Sequence, residues 1–491
     1  MKKILLVYLL LLLCFTTFAS IEPIRSDYCE IPFNNSFPDD IISKPEAIED
    51  IYFLISKLSQ SNPAVYKYIS KSELENIRDK IIDEINDKKV LKISEFFFYL
   101  SRITASIKDI HTTIWSPNWK NDKIFPFSIK IYENDIYIYE SKIDPCSTLI
   151  PSGAKIISIN GITSEEIVET KKNYTYYINE KSINNDLERK FNLFLYEFFN
   201  IESPFKIEYK YEGKTYSTKE NEIYTPQEAF QIYREYALET NGQIIPVLEL
   251  NTFNPYRLRD NELFDLADRF FAKNANAENI VIDIRKNTGG NSIIGYYFLD
   301  YLMNNYKIYD QMAYKISQYS REEMNYILDI NYYNRGIPEF IWDWPIYTLL
   351  NGYLKLCGEV VFGKIGDSIL LDEEYRTKLF PDKNQFYGNV YLLIGENTTS
   401  AAVDFASAFK EKGRGIIIGR ETGNSDSYAG NLISRTLPNS GLVFSTSISY
   451  MICPRGIDDG RGVIPDIEVE YTLEDYLNKK DKDIEKLLEM F

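Results

Sequence analysis

The chain has 491 residues, a net charge of -17 at neutral pH and a hydrophobic fraction of 44%. That length accommodates two to four compact units with a sizeable core, and so acidic a chain, with no basic cluster among its aromatics, argues against nucleic acid as a partner. One histidine and widely spaced cysteines argue against a zinc site.

The first residues are Met-Lys-Lys, an apolar run from Ile4 to Phe15, and a small-residue Thr17-x-Ala19 site. This pattern predicts a secretory signal peptide over 1–19. The apolar run is too short for a membrane span, and no later segment approaches the ~18 apolar residues one requires. Leu13 is not the small residue that lipoprotein processing prefers before its cysteine, so anchoring through Cys14 is not expected. The mature chain is expected to be exported, periplasmic or extracellular, with no stable membrane span after signal cleavage. It keeps Cys29, Cys146, Cys357 and Cys453, an even count in an oxidising compartment, and three complete pairings fit.

Residues 20–44, rich in Pro and Asn, read as a lead-in segment. Over 45–118, Ile48, Ile51, Ile55 and Leu58 keep helical spacing, as do Leu74, Ile77, Ile81 and Ile85, and 96–107 gives a third such stretch. From 119 to 222 the pattern changes to short strands rich in β-branched and aromatic residues, separated by Asn-Asp, Asp-Pro and Asn-Gly turns. Residues 223–475 alternate apolar strands (244–250, 279–284, 390–394, 415–418, 441–449) with helices (264–271, 292–303 and one from 400), which predicts an α/β layered core. A Tyr- and Trp-rich insertion at 306–387, with Trp342 and Trp344, has little periodicity and fits a lid or plain packing equally well. A charged terminal helix covers 473–490, closing the chain with a C-terminal segment at 476–491.

Three places carry candidate chemistry. Ser400 stands between the apolar strand Val390–Ile394 and a small-residue helix, where a hydroxyl is exposed beside free backbone N–H groups and a positive helix end. Those features suit a nucleophile whose product is an oxyanion, although an N-cap serine has the same sequence signature. In IVIDIRKNTGGN, Gly289-Gly290 follows a strand and lets the backbone present N–H groups; no GxGxxG or GxxxxGK[ST] pattern accompanies it, so a phosphate cradle is not indicated. His111 is the one imidazole available to take a serine proton near neutral pH, while a lone histidine is also often structural.

Taken together, LLIGENTTSAAVDFASAFKEKGRGIIIGRETGN, IVIDIRKNTGGN, DGRGVIPDIEV, SGAKIISINGITSEEI and DIHTT resemble, in order over about 45 to 490, segments of the carboxyl-terminal-processing (tail-specific) and tricorn-like serine peptidases. The resemblance implies a Clp-protease/crotonase-like α/β core over 223–475, a PDZ-like domain at 119–222 and an N-terminal helical subdomain at 45–118. It implies Ser400 as nucleophile, His111 as general base, and backbone N–H groups of Gly289 (with Gly290) and Ala401 as the oxyanion hole. The lysine that the processing branch places 25 positions beyond its serine is Ser425 here, so the match is to the histidine-using branch. Ile110 stands where that branch has a serine, and Val403 where it has a glutamate, with Asp404 one place later. Asp459, or Glu421, is the implied orienting acid for His111. The expected function is an exported serine peptidase acting on a peptide or protein substrate, with a free carboxyl end as one point of recognition, and needing no metal or other cofactor. A catalytically silent binding protein on the same fold and an exported esterase or amidase are the alternatives.

Overall fold

The computed structural model describes residues 36–118, 123–142, 150–177, 179–224, 231–254, 262–324, 359–371, 374–376 and 385–491. The signal peptide expected over 1–19, Cys14, Cys29, Cys146, Cys357, Trp342 and Trp344 lie outside these residues. Clustering of the chain separates 1–33 with 318–363 from the remainder; of that smaller unit the structure describes two short helical pieces, at 318–324 and 359–362. Everything below concerns the larger unit.

Three helices open it: α1 (Lys44–Ser61), α2 (Lys71–Glu84) and α3 (Ile93–Ser106). Local chemistry starts the first two. Ser43 with Glu46, and Ser70 with Glu73, form capping boxes that satisfy orphan N–H groups reciprocally. The helical spacing seen in the sequence then buries Ile51, Leu54 and Leu58 of α1 and Phe96, Leu100 and Ile103 of α3. After α3 the chain makes a short loop and enters β1 (Thr113–Ile114).

The next unit is an antiparallel sheet. Its strands are β2 (Phe127–Tyr132), β3 (Asp135–Ser141), β4 (Lys155–Ile159), β5 (Phe205–Tyr211) and β6 (Lys214–Glu220), in spatial order β6-β5-β4-β3-β2. Helices α4 (Ser164–Asn173) and α5 (Glu180–Phe199) contribute to its core, where Phe125, Phe191, Phe194 and Phe205 meet. The 20-residue α5 was not expected from the strand-like patterning of this region. Its apolar positions Leu187, Phe191, Phe194 and Leu195 do keep helical spacing, but surrounding β-branched and aromatic strands obscure it.

The region from 233 onward is built on a six-stranded sheet. Its strands are β7 (Tyr233–Thr240), β8 (Gln243–Leu250), β9 (Asn279–Asp283), β12 (Asn389–Ile394), β13 (Ile416–Gly419) and β16 (Ile467–Glu468), in that spatial order. The β7–β8 hairpin is antiparallel and every later pairing is parallel. Helices α6 (Glu262–Lys273), α7 (Ser292–Leu302) and α8 (Ala401–Lys412) share one apolar core with this sheet. Ile484, Leu487 and Phe491 belong to a second apolar cluster with Val247, Val281, Leu393 and Ile418. Successive side chains of a strand point to opposite faces, so the sheet is covered on both faces. The buried runs NIVID and NVYLLI follow, because parallel strands covered twice need no polar face.

A smaller sheet orders β11 (Ser368–Leu371), β10 (Gln311–Lys315), β15 (Val443–Ile452) and β14 (Tyr428–Thr436). The described ends of the insertion therefore supply two strands of this sheet. β1 pairs with β15 through Thr113–Ser445 and Ile114–Phe444, which ties the loop after α3 to the core. The single terminal helix expected over 473–490 is two short ones, α9 (Leu473–Leu477) and α10 (Lys482–Leu488). Between them Lys479 takes φ 54° and Asp481 caps the second helix. No helix among the described residues is long and apolar enough to cross a membrane.

Candidate active site

Ser400 joins the end of the β12 turn to α8 with φ 55° and ψ -128°. An N-cap serine has extended dihedrals and accepts a bond from the N2 or N3 amide. Ser400 has neither the dihedrals nor the cap bond, so the ordinary capping reading fails. Such a conformation is strained for any residue with a Cβ, and neighbours hold it. The Ser400 N–H donates to Asn424 Oδ1 at 2.7 Å, Thr399 N–H donates to Asn287 O at 3.0 Å, and Val403 N–H donates to Ser400 O at 2.7 Å. The Oγ left over lies 3.1 Å from His111 Nε2.

His111 sits in the loop between α3 and β1. Its backbone N–H donates to Asp109 Oδ1 at 2.9 Å, and its carbonyl accepts from Ser445 Oγ at 2.8 Å. Its Nδ1 lies 2.8 Å from Ala429 O. A carbonyl only accepts, so Nδ1 carries the proton of the neutral ring, and Nε2 is left as the acceptor facing Ser400. Asp109 Oδ1 lies 3.6 Å from Nδ1, too far for a hydrogen bond, so it acts on the ring by charge. Burial pushes the imidazole pKa down, but Asp109, the Ala429 carbonyl and Asp404 outweigh it and hold the pKa above the usual histidine range. The Asp109 carboxylate is buried too, and burial would raise its pKa. His111 and Thr112 reverse that and keep it below the usual range. Its Oδ2 accepts from Thr112 Oγ1 (2.7 Å), Ser447 Oγ (2.8 Å) and Asn62 Nδ2 (3.0 Å), drawing α1, the loop and β15 onto one carboxylate.

The acids expected to orient His111 do not do so. Glu421 accepts from Arg461 Nε and Nη2 at 2.9 and 2.8 Å and from Gly462 N–H at 2.7 Å. Asp459 Oδ1 accepts the Arg461 N–H at 2.8 Å. A bidentate arginine fork and a local turn have taken both carboxylates. The partners of His111 are instead Ala429 O and Asp109, the latter two residues upstream in DIHTT. The sequence signal for Asp109 is that short spacing, since an aspartate readily bonds the amide two positions on.

Gly289 and Gly290 take φ +89° and +137°. A Cβ on Gly289 would lie 2.8 Å from Ser400 Cβ, and one on Gly290 would lie 2.3 Å from the Phe253 carbonyl carbon, so neither position admits a side chain. Of the expected oxyanion donors, the Gly289 N–H is already donated to Asn287 Oδ1 at 2.9 Å. Gly290 and Ala401 retain N–H groups with no acceptor among the described residues. Ser425, where a processing-type lysine would stand, donates its Oγ to Gly460 O at 3.0 Å.

Val403 is fully buried, and Asp404 beside it is the acid that lies near the site. Tyr428 OH donates to Asp404 Oδ1 at 2.6 Å and Ser292 Oγ donates to Oδ2 at 2.8 Å. Burial nevertheless pushes the Asp404 carboxyl up to about 6. The Tyr428 ring stacks on His111 with centroids 5.9 Å apart.

Residues 245–469 match the family model described as peptidase family S41. No curated protein sequence matches the chain. Among solved structures, a CPAF mutant is similar at a TM-score of 0.70 and 14% identity, covering 91% of this chain and 96% of that one. Mature CPAF complexed with lactacystin is similar at 0.65 and 15%, covering 91% and 99%. At this identity the likeness is one of fold, and it agrees with the mixed α/β architecture described above. The segment 245–469, which holds Ser400 and the Gly-Gly loop, is thus similar to peptidase family S41, and this match indicates a serine-type peptidase, with peptide or protein substrates as the family implies.

Proposed function

We propose that Ser400 is the nucleophile and His111 the general base of this peptidase. The observation that carries the reading is the 3.1 Å Nε2–Oγ approach, made by a ring whose other nitrogen is committed to the Ala429 carbonyl. In this reading Nε2 takes the Oγ proton as Oγ attacks the scissile carbonyl carbon. The tetrahedral oxyanion faces the Ala401 and Gly290 amides, and the imidazolium then protonates the departing amine nitrogen as the C–N bond breaks. Water repeats the sequence on the acyl-enzyme and frees Ser400. Asp109 acts through His111, by favouring its charged form, and is a positioning residue. The ring of Tyr428, held by its bond to the buried Asp404, packs the ring face.

Around this centre, the leader at 1–19 supports export to the periplasm or beyond, and the β-sheet unit at 119–222 is read as a PDZ-like module that engages a peptide, with a free carboxyl end as one ligand. The test of the central assignment is labelling with a fluorophosphonate, mapped by peptide mass spectrometry. Label is expected on Ser400 alone, and absent from Ser400→Ala. Labelling elsewhere, or none on the folded wild-type chain, contradicts it.

A further inference from the structure

Arg285 and Arg420 stand just beyond β9 and β13, the strands on either side of the one that leads to Ser400. The ladders between these strands end at Asp283–Leu393 and Ile394–Gly419, so both arginines begin segments that leave the sheet at the edge where Ser400 lies. Arg285 opens the segment that carries Gly289-Gly290. Arg420 reaches back to the serine turn, donating from Nε to Glu396 Oε1 at 2.8 Å. The two guanidinium groups meet at one carboxylate, the fully buried Asp483 of α10. Its Oδ2 accepts from Arg285 Nη1 at 2.8 Å, and its Oδ1 and Oδ2 accept from Arg420 Nη1 at 2.9 and 3.0 Å. Ile484, Leu487 and Phe491 seat this terminal segment in one apolar cluster with Val281, Leu393 and Ile418, which come from β9, β12 and β13.

A path of ion pairs therefore runs from the Gly-Gly segment to the serine turn through Arg285, Asp483, Arg420 and Glu396. Burying charge is costly, and apolar side chains of similar size often hold elements together as well or better. What arginine–carboxylate pairs add is direction and distance, because the planar guanidinium accepts a partner in few orientations. The two loops joined here carry the Gly290 and Ala401 amides, assigned above to the oxyanion, and such donors work only when placed to within about an ångström. Thr398 Oγ1 and the Thr399 N–H also bond the Gly-Gly segment directly, at Ile284 O (2.9 Å) and Asn287 O (3.0 Å). The ion pairs set the same two loops a second time, from the C-terminal helix.

We infer that Asp483 is a positioning residue for the oxyanion hole, acting through Arg285 and Arg420 to fix the spacing of the Gly290 and Ala401 amides. The inference rests on the Ser400–His111 reading above and adds the element that holds its two amide donors. Asp483 itself touches neither the substrate nor the reacting atoms.

The test compares fluorophosphonate labelling rates of Ser400 in the wild-type chain, Asp483→Asn, Glu396→Gln and Asp481→Asn from pH 5 to 9, under conditions where urea melts show each chain to be folded. Asp481 is the control. It accepts from Arg285 at 2.7 and 3.0 Å and caps α10, but has no bond to Arg420 among the described residues. Asp483→Asn and Glu396→Gln each cut the path and are expected to lower the plateau rate about 10-fold. The inflection pH should stay where it is in both, because the surroundings of His111 are unchanged. Asp481→Asn is expected to keep the wild-type rate. A wild-type plateau in either folded path variant overturns the inference and leaves the ion pairs a matter of stability alone. An equal fall in Asp481→Asn overturns it too, as does a shifted inflection, which would mean that the effect passes through His111. If Asp483→Asn does not fold, Glu396→Gln makes the same comparison from the other end of the path. Absence of label on the folded wild-type chain overturns the nucleophile assignment and this inference together.

Discussion

Ser400 carries backbone strain of the order of 1–3 kcal/mol that glycine would not feel at φ 55° and ψ -128°. Ser400→Gly is therefore expected to raise the urea midpoint, by about 1 kcal/mol of stability, while abolishing labelling. A fall in stability would mean that the Oγ contact with His111 outweighs the strain. The Gly289 backbone touches the same residue from the other side, since a Cβ there would lie 2.8 Å from Ser400 Cβ. Gly289→Ala should lower the labelling rate by about 10² or more through displacement of that loop, and an unaffected rate would show that the loop does not seat the serine. The imidazole gives a signed pH prediction. Its pKa is raised, so the neutral base appears only above the usual ~6.5, and the labelling rate should climb through an inflection on the alkaline side of that value. Asp109→Asn removes an anion that favours imidazolium and should move the inflection to lower pH. A pH profile identical to wild type would remove Asp109 from the positioning role.

At the level of elements, the histidine and the serine are 289 residues apart in sequence, and the helical unit must dock on the core to bring them together. Two carboxylates make that docking specific. Asp109 joins α1 to β15 through Asn62 and Ser447, and Asp50 of α1 accepts from the Asn439 and Ser440 amides at 3.0 and 2.8 Å. Asp50→Ala would leave these buried donors unmet and should destabilise the fold by on the order of 3 kcal/mol, measured by urea unfolding. A change within ~0.5 kcal/mol would show that water replaces the carboxylate. Much of this level was legible in advance: α1 to α3, the β8, β9 and β12 strands and the serine turn all announce themselves by period and by flanking turn residues. Helix α5 did not, because its stripe of Leu187, Phe191, Phe194 and Leu195 keeps helical spacing among strands rich in the same apolar and aromatic residues. The terminal helix was read as continuous because charge spacing carries no record of the break at Lys479.

For the whole molecule, alternating strands and helices indicated the layered core, and one histidine and one serine turn indicated a pair. What the sequence could not supply was the third partner. Contacts such as His111 Nδ1 to Ala429 O span 318 residues and use a backbone atom, which leaves no mark on residue identity. The family resemblance also misassigned the acids, since Glu421 and Asp459 are drawn to Arg461 by geometry that only folding creates. The account as a whole stands on one claim, that His111 activates Ser400. The direct test is the fluorophosphonate labelling rate of Ser400 in the wild-type chain and in folded His111→Ala, followed from pH 5 to 9. The account predicts a rate at pH 8 that falls by ~10² to 10⁴ in the variant and loses its sigmoid pH dependence. Equal rates in the two proteins would contradict it.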